Sequence, residues 1–162
     1  MDQATLKSWL IYHPETGVFT WAQSRVHGKV KVGRQAGCRR PDGYIVIRVL
    51  KKLYAASRLA FLYMTGEMPE FVDHIDRDRS NDRWSNLRVA TGSQNQWNRS
   101  RPRHNTSGFK GVSWDAQRQK WFVSIHQFGK QRNLGRFVTL EEAAAAYALA
   151  AKEMHGSFAR TT

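Results

Sequence analysis

The part of this sequence best suited to chemistry is an Asp-His pair followed by two asparagines: Asp73, His74, Asn86 and Asn95. The pair opens an acidic cluster in an otherwise basic chain, namely Asp73, Asp76, Asp78 and Asp82. Carboxylates near a polyanion repel its phosphates, but a divalent cation held by hard oxygen ligands attracts them. The cluster therefore indicates a metal-dependent reaction on a nucleic-acid backbone.

Hydrolysis of a phosphodiester needs a base that deprotonates water and a positive charge that stabilises the reacting phosphate. His74 is a suitable general base, because histidine exchanges its proton near neutral pH. Asp73 faces the opposite side of a regular strand, so both side chains reach one pocket only if the strand bends at its end. Asn95 lies in the first turn of a predicted helix, from which its oxygen can reach a metal that Asp73 also binds. Such a site suits Mg²⁺, which keeps much of its hydration.

These residues fall on a predicted strand–loop–strand–helix unit. The strands cover residues 71–74 and 87–90, and the polar loop between them covers residues 76–85. Thr91 and Gln94 match a capping box, so the helix that carries Asn95 is predicted to begin directly after Thr91. The other carboxylates of the acidic cluster are expected to be turn residues of the loop rather than metal ligands. Asn98 either lines the site or is an ordinary solvated helix residue.

Shorter elements are predicted before this unit. Apolar spacing and turn residues predict helices over residues 5–12 and 57–65, and strands over residues 18–21, 44–50 and 53–55. Gly66 is expected to end the second helix.

The C-terminal residues predict three strands and one helix. The strands cover residues 111–114, 121–127 and 132–137, and Thr139 begins an Ala-rich helix that runs to about Met154. Small side chains let this helix lie close to the sheet, where Trp121, Leu134 and Phe137 supply bulk. The opposite sheet face is then open and is a candidate surface for the major groove.

Composition and charge indicate a nucleic-acid partner. The 162 residues include 26 Lys and Arg against 13 Asp and Glu, which gives a formal net charge of +13. Residues 1–70 carry 11 basic and 5 acidic side chains, residues 71–100 carry 5 and 4, and residues 101–162 carry 10 and 4. Two basic flanks around a nearly neutral centre predict two surfaces that grip DNA around a reaction site.

The order and spacing of the central residues resemble the HNH endonucleases of the phage homing type, through Val72-Asp73-His74-Ile75-Asp76, Asn81, Ser85-Asn86-Leu87-Arg88, Thr91 and Asn95. The resemblance implies a ββα-metal fold and metal-dependent DNA cleavage. It implies that His74 is the general base and that Asn86 holds the loop so that His74 is oriented. It also implies that Asp73 and Asn95 bind the metal.

The resemblance extends upstream with one departure. The family commonly has a histidine before the Arg58-Leu59 pair, whereas this chain has Ser57. If that histidine only packs, the change is mild, but if it assists the metal or the phosphate, activity is weakened. The departure leaves open an alternative, a catalytically inactive DNA-binding regulator of HNH ancestry. An RNA-binding accessory protein is a further alternative.

The C-terminal residues resemble the plant ethylene-response-factor (Apetala-two type) DNA-binding domain, through Gly108–Val112, Leu134–Phe137 and Thr139–Ala144 among others. The resemblance implies that this module binds double-stranded DNA. Most base-contact positions differ from the plant members, so the plant base specificity is not carried over. The expected DNA-binding residues are Lys110, Arg118, His126, Lys130, Arg132, Asn133 and Arg136, with Arg101 and Arg103 in a linker that either contacts phosphate or is only solvated.

The sequence as a whole predicts an α+β fold. A ββα-metal HNH nuclease region is followed by a small three-stranded antiparallel sheet packed on one α-helix. The predicted HNH region covers residues 1–100, with its core near residues 71–99. A linker over residues 101–106 joins it to an Apetala-two-type domain over residues 107–162. The expected cofactor is a divalent metal, Mg²⁺ with Mn²⁺ as a substitute, and the expected partner is double-stranded DNA.

The sequence also predicts the cellular compartment. One cysteine, Cys38, excludes an intramolecular disulfide, and the longest apolar stretch, Ala143–Ala151, is too short to span a bilayer. No signal-peptide pattern is visible at the N terminus. We therefore expect a cytoplasmic protein, in the host cytoplasm if it is phage-encoded, with no membrane partner and no small-molecule cofactor. Oligomerisation is neither implied nor excluded.

Overall fold

The computed structural model combines helices with small antiparallel sheets, as predicted. It describes residues 1–24, 31–98 and 105–160. Arg101, Arg103 and most of the predicted linker lie outside the described residues.

The chain divides into two units, residues 1–90 and 91–162, and each unit has its own hydrophobic core. The structural division falls between β7 (Leu87–Ala90) and the capping residue Thr91. The predicted assignment of functional domains to residues 1–100 and 107–162 remains a prediction.

Helix α1 (Gln3–Trp9) leads into a hairpin of the antiparallel strands β1 (Leu10–His13) and β2 (Val18–Trp21). The helix predicted over residues 5–12 is therefore wrong beyond Trp9. Residues of β1 alternate between buried and exposed, which is the period of a strand with one face on the core. The hairpin places its buried side chains beside α1 in the first core.

A second sheet and a helix complete this core. The sheet consists of β3 (Cys38–Arg39), β4 (Ile45–Val49) and β5 (Lys52–Ala55) in that order, and α2 (Ala56–Thr65) follows directly. Gly66 ends α2 with φ of +83°, in the left-handed region that favours glycine, as predicted. The largest fully buried side chains here are Leu6, Leu10, Phe19, Ile47, Val49 and Leu59.

The two predicted central strands form an antiparallel pair, β6 (Phe71–His74) with β7. In its register Asp73 lies opposite Arg88, and His74 lies opposite Leu87. The connecting loop closes with a 3-10 turn over Trp84–Asn86. This pair fixes the backbone that carries the predicted general base.

The second unit begins with α3 (Gly92–Trp97), and Thr91 forms the predicted capping box with Gln94. Its sheet has β9 (Lys120–Gln127) between β8 (Val112–Asp115) and β10 (Lys130–Phe137). Helix α4 (Leu140–His155) packs on one face of this sheet, against Val123 and Ile125 among other core residues. In the described part of the chain, no helix is long and apolar enough to cross a membrane.

Candidate active site

His74 is the last residue of β6, and its side chain is almost completely buried, with 3% of its surface exposed. Its Nε2 lies 2.9 Å from Oδ1 of Asp82, which is equally buried. The sequence indicates Asp82 only as a turn residue of the loop and does not predict this contact. Strand and turn patterns carry no signal for this contact, because it depends on how the seven intervening residues fold back.

The side chain of Asn86 closes the loop between β6 and β7. Its Oδ1 accepts the backbone N–H of Asp76 at 2.9 Å, and its Nδ2 donates to Oδ1 of Asp76 and to the carbonyl of Asn81. The backbone carbonyl of Asn86 also accepts the N–H of Ile75 at 2.9 Å. The loop is thus tied together directly after His74, so Asn86 is well placed to hold it in shape.

The other carboxylates of the acidic cluster behave as predicted for turn residues. Oδ1 of Asp76 accepts the N–H of Asp78, and Oδ1 of Asp78 accepts the N–H of Ser80. Partial burial opposes ionisation of Asp76, but hydrogen bonds from Asn81 and Asn86 outweigh it and lower the pKa of Asp76. The loop therefore holds Asp76 as a carboxylate.

For Asp82 the effect of burial on the pKa exceeds the effect of hydrogen bonding, the reverse of Asp76. Burial raises the pKa of Asp82, and the hydrogen bond with His74 opposes that rise without cancelling it. Burial together with the Asp82 charge also raises the pKa of Tyr12, whose hydroxyl donates to the backbone carbonyl of Asp82 at 2.6 Å. Both side chains are almost completely buried, and the low local dielectric strengthens the contact of the carboxylate with His74.

Asp73, one of the predicted metal ligands, is buried in an ion pair with Arg88. The guanidinium donates from Nε at 2.8 Å and from Nη2 at 2.7 Å, both to Oδ2 of Asp73. The two residues are cross-strand partners in the β6–β7 pair. A metal bound by Asp73 would therefore share that carboxylate with the Arg88 guanidinium. The sequence pattern does not indicate this ion pair.

Asn95, the other predicted ligand, lies in the first turn of α3 and is half-buried. Asp73 belongs to the first unit and Asn95 to the second, so their pairing at one metal remains a prediction. Asn98 is buried at the C-terminal cap of α3, and its backbone carbonyl accepts a hydrogen bond from Arg160. The interpretation of Asn98 as a solvated residue is therefore wrong.

The donor chemistry fits a hard divalent cation. Within the three described ranges, no group of three or more His, Cys, Asp and Glu side chains is arranged to bind a metal ion. One carboxylate from Asp73 and one amide oxygen from Asn95 would leave most positions to water and phosphate, as Mg²⁺ prefers. The small number of protein ligands is thus compatible with the predicted cofactor.

Ser57, the departure from the resemblance, lies in the first turn of α2 and is 3% exposed. It contributes to the buried surface of the first unit.

The predicted DNA-binding residues lie on two faces of the second sheet. Register places His126, Asn133 and Arg136 on the open face, because Asn133 pairs with Ser124 and Arg136 with Phe122. Lys130 and Arg132 pair with Gln127 and Ile125, on the face that α4 covers, although their own side chains are exposed. The sheet therefore brings three of the candidates together and separates two from them.

Two further candidates, Arg118 and Lys110, make contacts within the protein, as does Arg136. Arg118 and Arg136 both contact Oδ2 of Asp115, at 3.4 and 2.9 Å. Lys110 donates from Nζ to the backbone carbonyl of Trp97 at 2.6 Å. Their roles in DNA binding remain predictions.

A known protein family matches the part of the chain that contains His74, Asp82 and Asn86. The sequence profile of a family described as HNH endonuclease matches residues 54–97, which contain α2, the β6–β7 pair and α3. The chain belongs to the HNH endonuclease family.

Two viral relatives show how far the similarity extends. Protein 3.8 of Escherichia phage T7 is 41% identical over 97 residues, which cover 59% of this chain and 79% of that protein. The protein named uncharacterized HNH endonuclease L560 of Acanthamoeba polyphaga mimivirus is 34% identical over 120 residues. That match covers 73% of this chain and 62% of the mimivirus protein. No solved structure matches the chain significantly.

Proposed function

We propose that this protein is a metal-dependent DNA endonuclease that hydrolyses phosphodiester bonds and so nicks or cleaves double-stranded DNA. The observation that carries the proposal is the buried His74, held by Asp82 at the end of the β6–β7 pair inside the family-matched region. A histidine with a fixed ring orientation is suited to take a proton from an attacking water.

The proposed division of roles follows the family resemblance. His74 takes the proton from water, and Asn86 holds the loop that follows it. Asp73 and Asn95 would bind a divalent cation, most suitably Mg²⁺, with Mn²⁺ as a substitute. When bound, the cation stabilises charge on the phosphate and on the leaving oxygen.

The second unit is proposed to bind DNA. Residues 101–162 carry 10 basic against 4 acidic side chains, and the open sheet face presents His126, Asn133 and Arg136. A sheet face in the major groove is an established mode of DNA recognition. In this proposal the second unit raises the local concentration of DNA at the nuclease site.

Plasmid cleavage tests the proposal. Supercoiled DNA is incubated with the protein in Mg²⁺, in Mn²⁺ or with EDTA, and wild type is compared with His74→Ala. We expect nicked or linear product only with metal and only from wild type. Intact DNA binding without cleavage in any metal would instead support the inactive regulator.

A further inference from the structure

The β1–β2 hairpin makes close contacts with the backbone of the segment that carries Asp82. The hydroxyl of Tyr12 donates to the carbonyl oxygen of Asp82 at 2.6 Å, and both residues are buried. Gly17, in the hairpin turn, lies so close that an added Cβ would come within 2.4 Å of the Asp82 carbonyl carbon and of Arg83 N. Because the contact is with backbone, it could not be relieved by a side-chain rotation.

Two further hydrogen bonds join the same turn to the residues after Asp82. The backbone N–H of Trp84 donates to the carbonyl of Pro14 at 3.0 Å. Nε of Arg83 donates to the carbonyl of Glu15 at 3.0 Å. The hairpin thus holds three consecutive residues, beginning with Asp82, by contacts to their backbone and side chains.

The chemistry of the His74–Asp82 contact selects one form of the histidine. A neutral imidazole has one N–H donor and one acceptor nitrogen, and an ionised carboxylate only accepts. With Nε2 donating to Asp82, the proton-accepting nitrogen of His74 is Nδ1. If Asp82 moved or were removed, His74 would lose the acceptor that favours the Nε2–H form.

We propose that Asp82 is a positioning residue that fixes His74 as the Nε2–H tautomer, and that the β1–β2 hairpin holds Asp82 in place for this task. The inference rests on the proposed nuclease function. It assigns a role in catalysis to Tyr12 and to the hairpin turn over residues 14–17, which lie before the family-matched residues 54–97. Asp82 acts only through His74 and has no assigned contact with substrate.

The first test reads the tautomer directly. Long-range ¹H–¹⁵N correlation spectra of the full chain, with the His74 signals assigned through His74→Ala, distinguish a protonated from an unprotonated ring nitrogen. We expect protonated Nε2 and unprotonated Nδ1 in wild type at a pH where the ring is neutral, and a smaller share of this form in Asp82→Ala. A wild-type His74 protonated at Nδ1 would overturn the inference.

The second test separates positioning from stability. Tyr12→Phe removes only the hydroxyl that holds the Asp82 carbonyl, and Tyr63→Phe makes the same change in the same aromatic cluster, where Tyr63 contacts Tyr12 at 5.9 Å between ring centroids. We expect Tyr12→Phe to lower kcat about fivefold, the worth of one hydrogen bond, with KM unchanged. The control should keep wild-type kcat.

Asp82→Ala should lower kcat by about 10- to 100-fold with KM nearly unchanged, as for loss of a residue that orients a functional histidine. Equal kcat in wild type and in a folded Asp82→Ala, or equal losses in Tyr12→Phe and its control, would overturn the inference while leaving the nuclease function intact. If wild type cleaved DNA with none of the divalent metals, the proposed function itself would be overturned. The His74 spectra would still test whether Asp82 fixes the tautomer of His74.

Discussion

Asn86 makes three side-chain hydrogen bonds, and all of them close the loop that follows His74. Replacement by Asp removes the donor and places a second carboxylate beside Asp76. We expect Asn86→Asp to lower the free energy of unfolding by roughly 1–3 kcal/mol, the cost of unsatisfied buried polar groups. Urea unfolding measures this change.

Asn133→Asp is the matched control for that variant. Asn133 is exposed on β10, and its Oδ1 accepts the N–H of Gly135, a bond that a carboxylate can also accept. The control should unfold with a free energy close to that of wild type. Equal destabilisation of both variants would contradict the role given to Asn86.

Asp76 makes the loop sensitive to acid. Burial opposes ionisation of Asp76, but the hydrogen bonds from Asn81 and Asn86 outweigh it and lower its pKa below the usual value. A carboxyl with a lowered folded-state pKa contributes stability above its unfolded pKa and loses it as the pH falls through the folded value. The difference in unfolding free energy between wild type and Asp76→Asn should be constant from about pH 5 to pH 8 and shrink below about pH 4. A difference that changes between pH 5 and pH 8 would contradict this assignment.

At the scale of elements, capping and turn residues predicted α3, α4 and the end of α2 well, because each signal is local. The sequence wrongly predicts helix for β1, because Leu6, Trp9 and Leu10 fit a helical spacing and only the pairing with β2 distinguishes strand from helix. The same limit applies to the site. Motif spacing indicates His74 and Asn86 as candidate residues, but the Asp82 contact and the Asp73–Arg88 ion pair arise from folding between elements.

Helix α3 has six residues, too few to be stable alone, and therefore needs contacts with the rest of its unit. Trp97 stacks on His155 with ring centroids 4.3 Å apart, and Lys110 donates to the Trp97 carbonyl. Lys110→Met keeps the apolar stem and removes the donor, so we expect a loss of about 1.5–3 kcal/mol in the stability of the second unit.

Thermal unfolding compares that variant with Lys130→Met, which makes the same change at an exposed position of β10. The control should leave the stability near that of wild type. If Lys110 acts only as a DNA contact, both variants will melt like wild type and only DNA affinity will fall.

At the scale of the molecule, the net charge of +13 predicts DNA binding that weakens steeply with salt, because bound counterions are released from the phosphates. We expect the open sheet face of the second unit to be the surface that binds DNA. Gln131 pairs with His126 on that face, so Gln131→Glu should lower affinity by at least about tenfold through repulsion of phosphate. Fluorescence anisotropy with duplex DNA at fixed salt measures the effect.

Gln117→Glu adds the same charge in the exposed turn between β8 and β9 and serves as the control. It should bind DNA nearly as tightly as wild type. Equal losses in both variants would mean that affinity follows total charge, and the open face would then have no special role.

The most direct measurement is the rate of plasmid cleavage in Mg²⁺ by wild type, by His74→Ala and by His13→Ala, which makes the same change at an exposed histidine of β1. DNA binding by each protein is measured in parallel. A general base contributes about 100- to 10,000-fold, so His74→Ala should lose at least that lower factor while it still binds DNA, and His13→Ala should cleave like wild type. Equal rates for wild type and His74→Ala, or no metal-dependent cleavage by a wild-type protein that binds DNA, would contradict the assignment of this site as a nuclease centre.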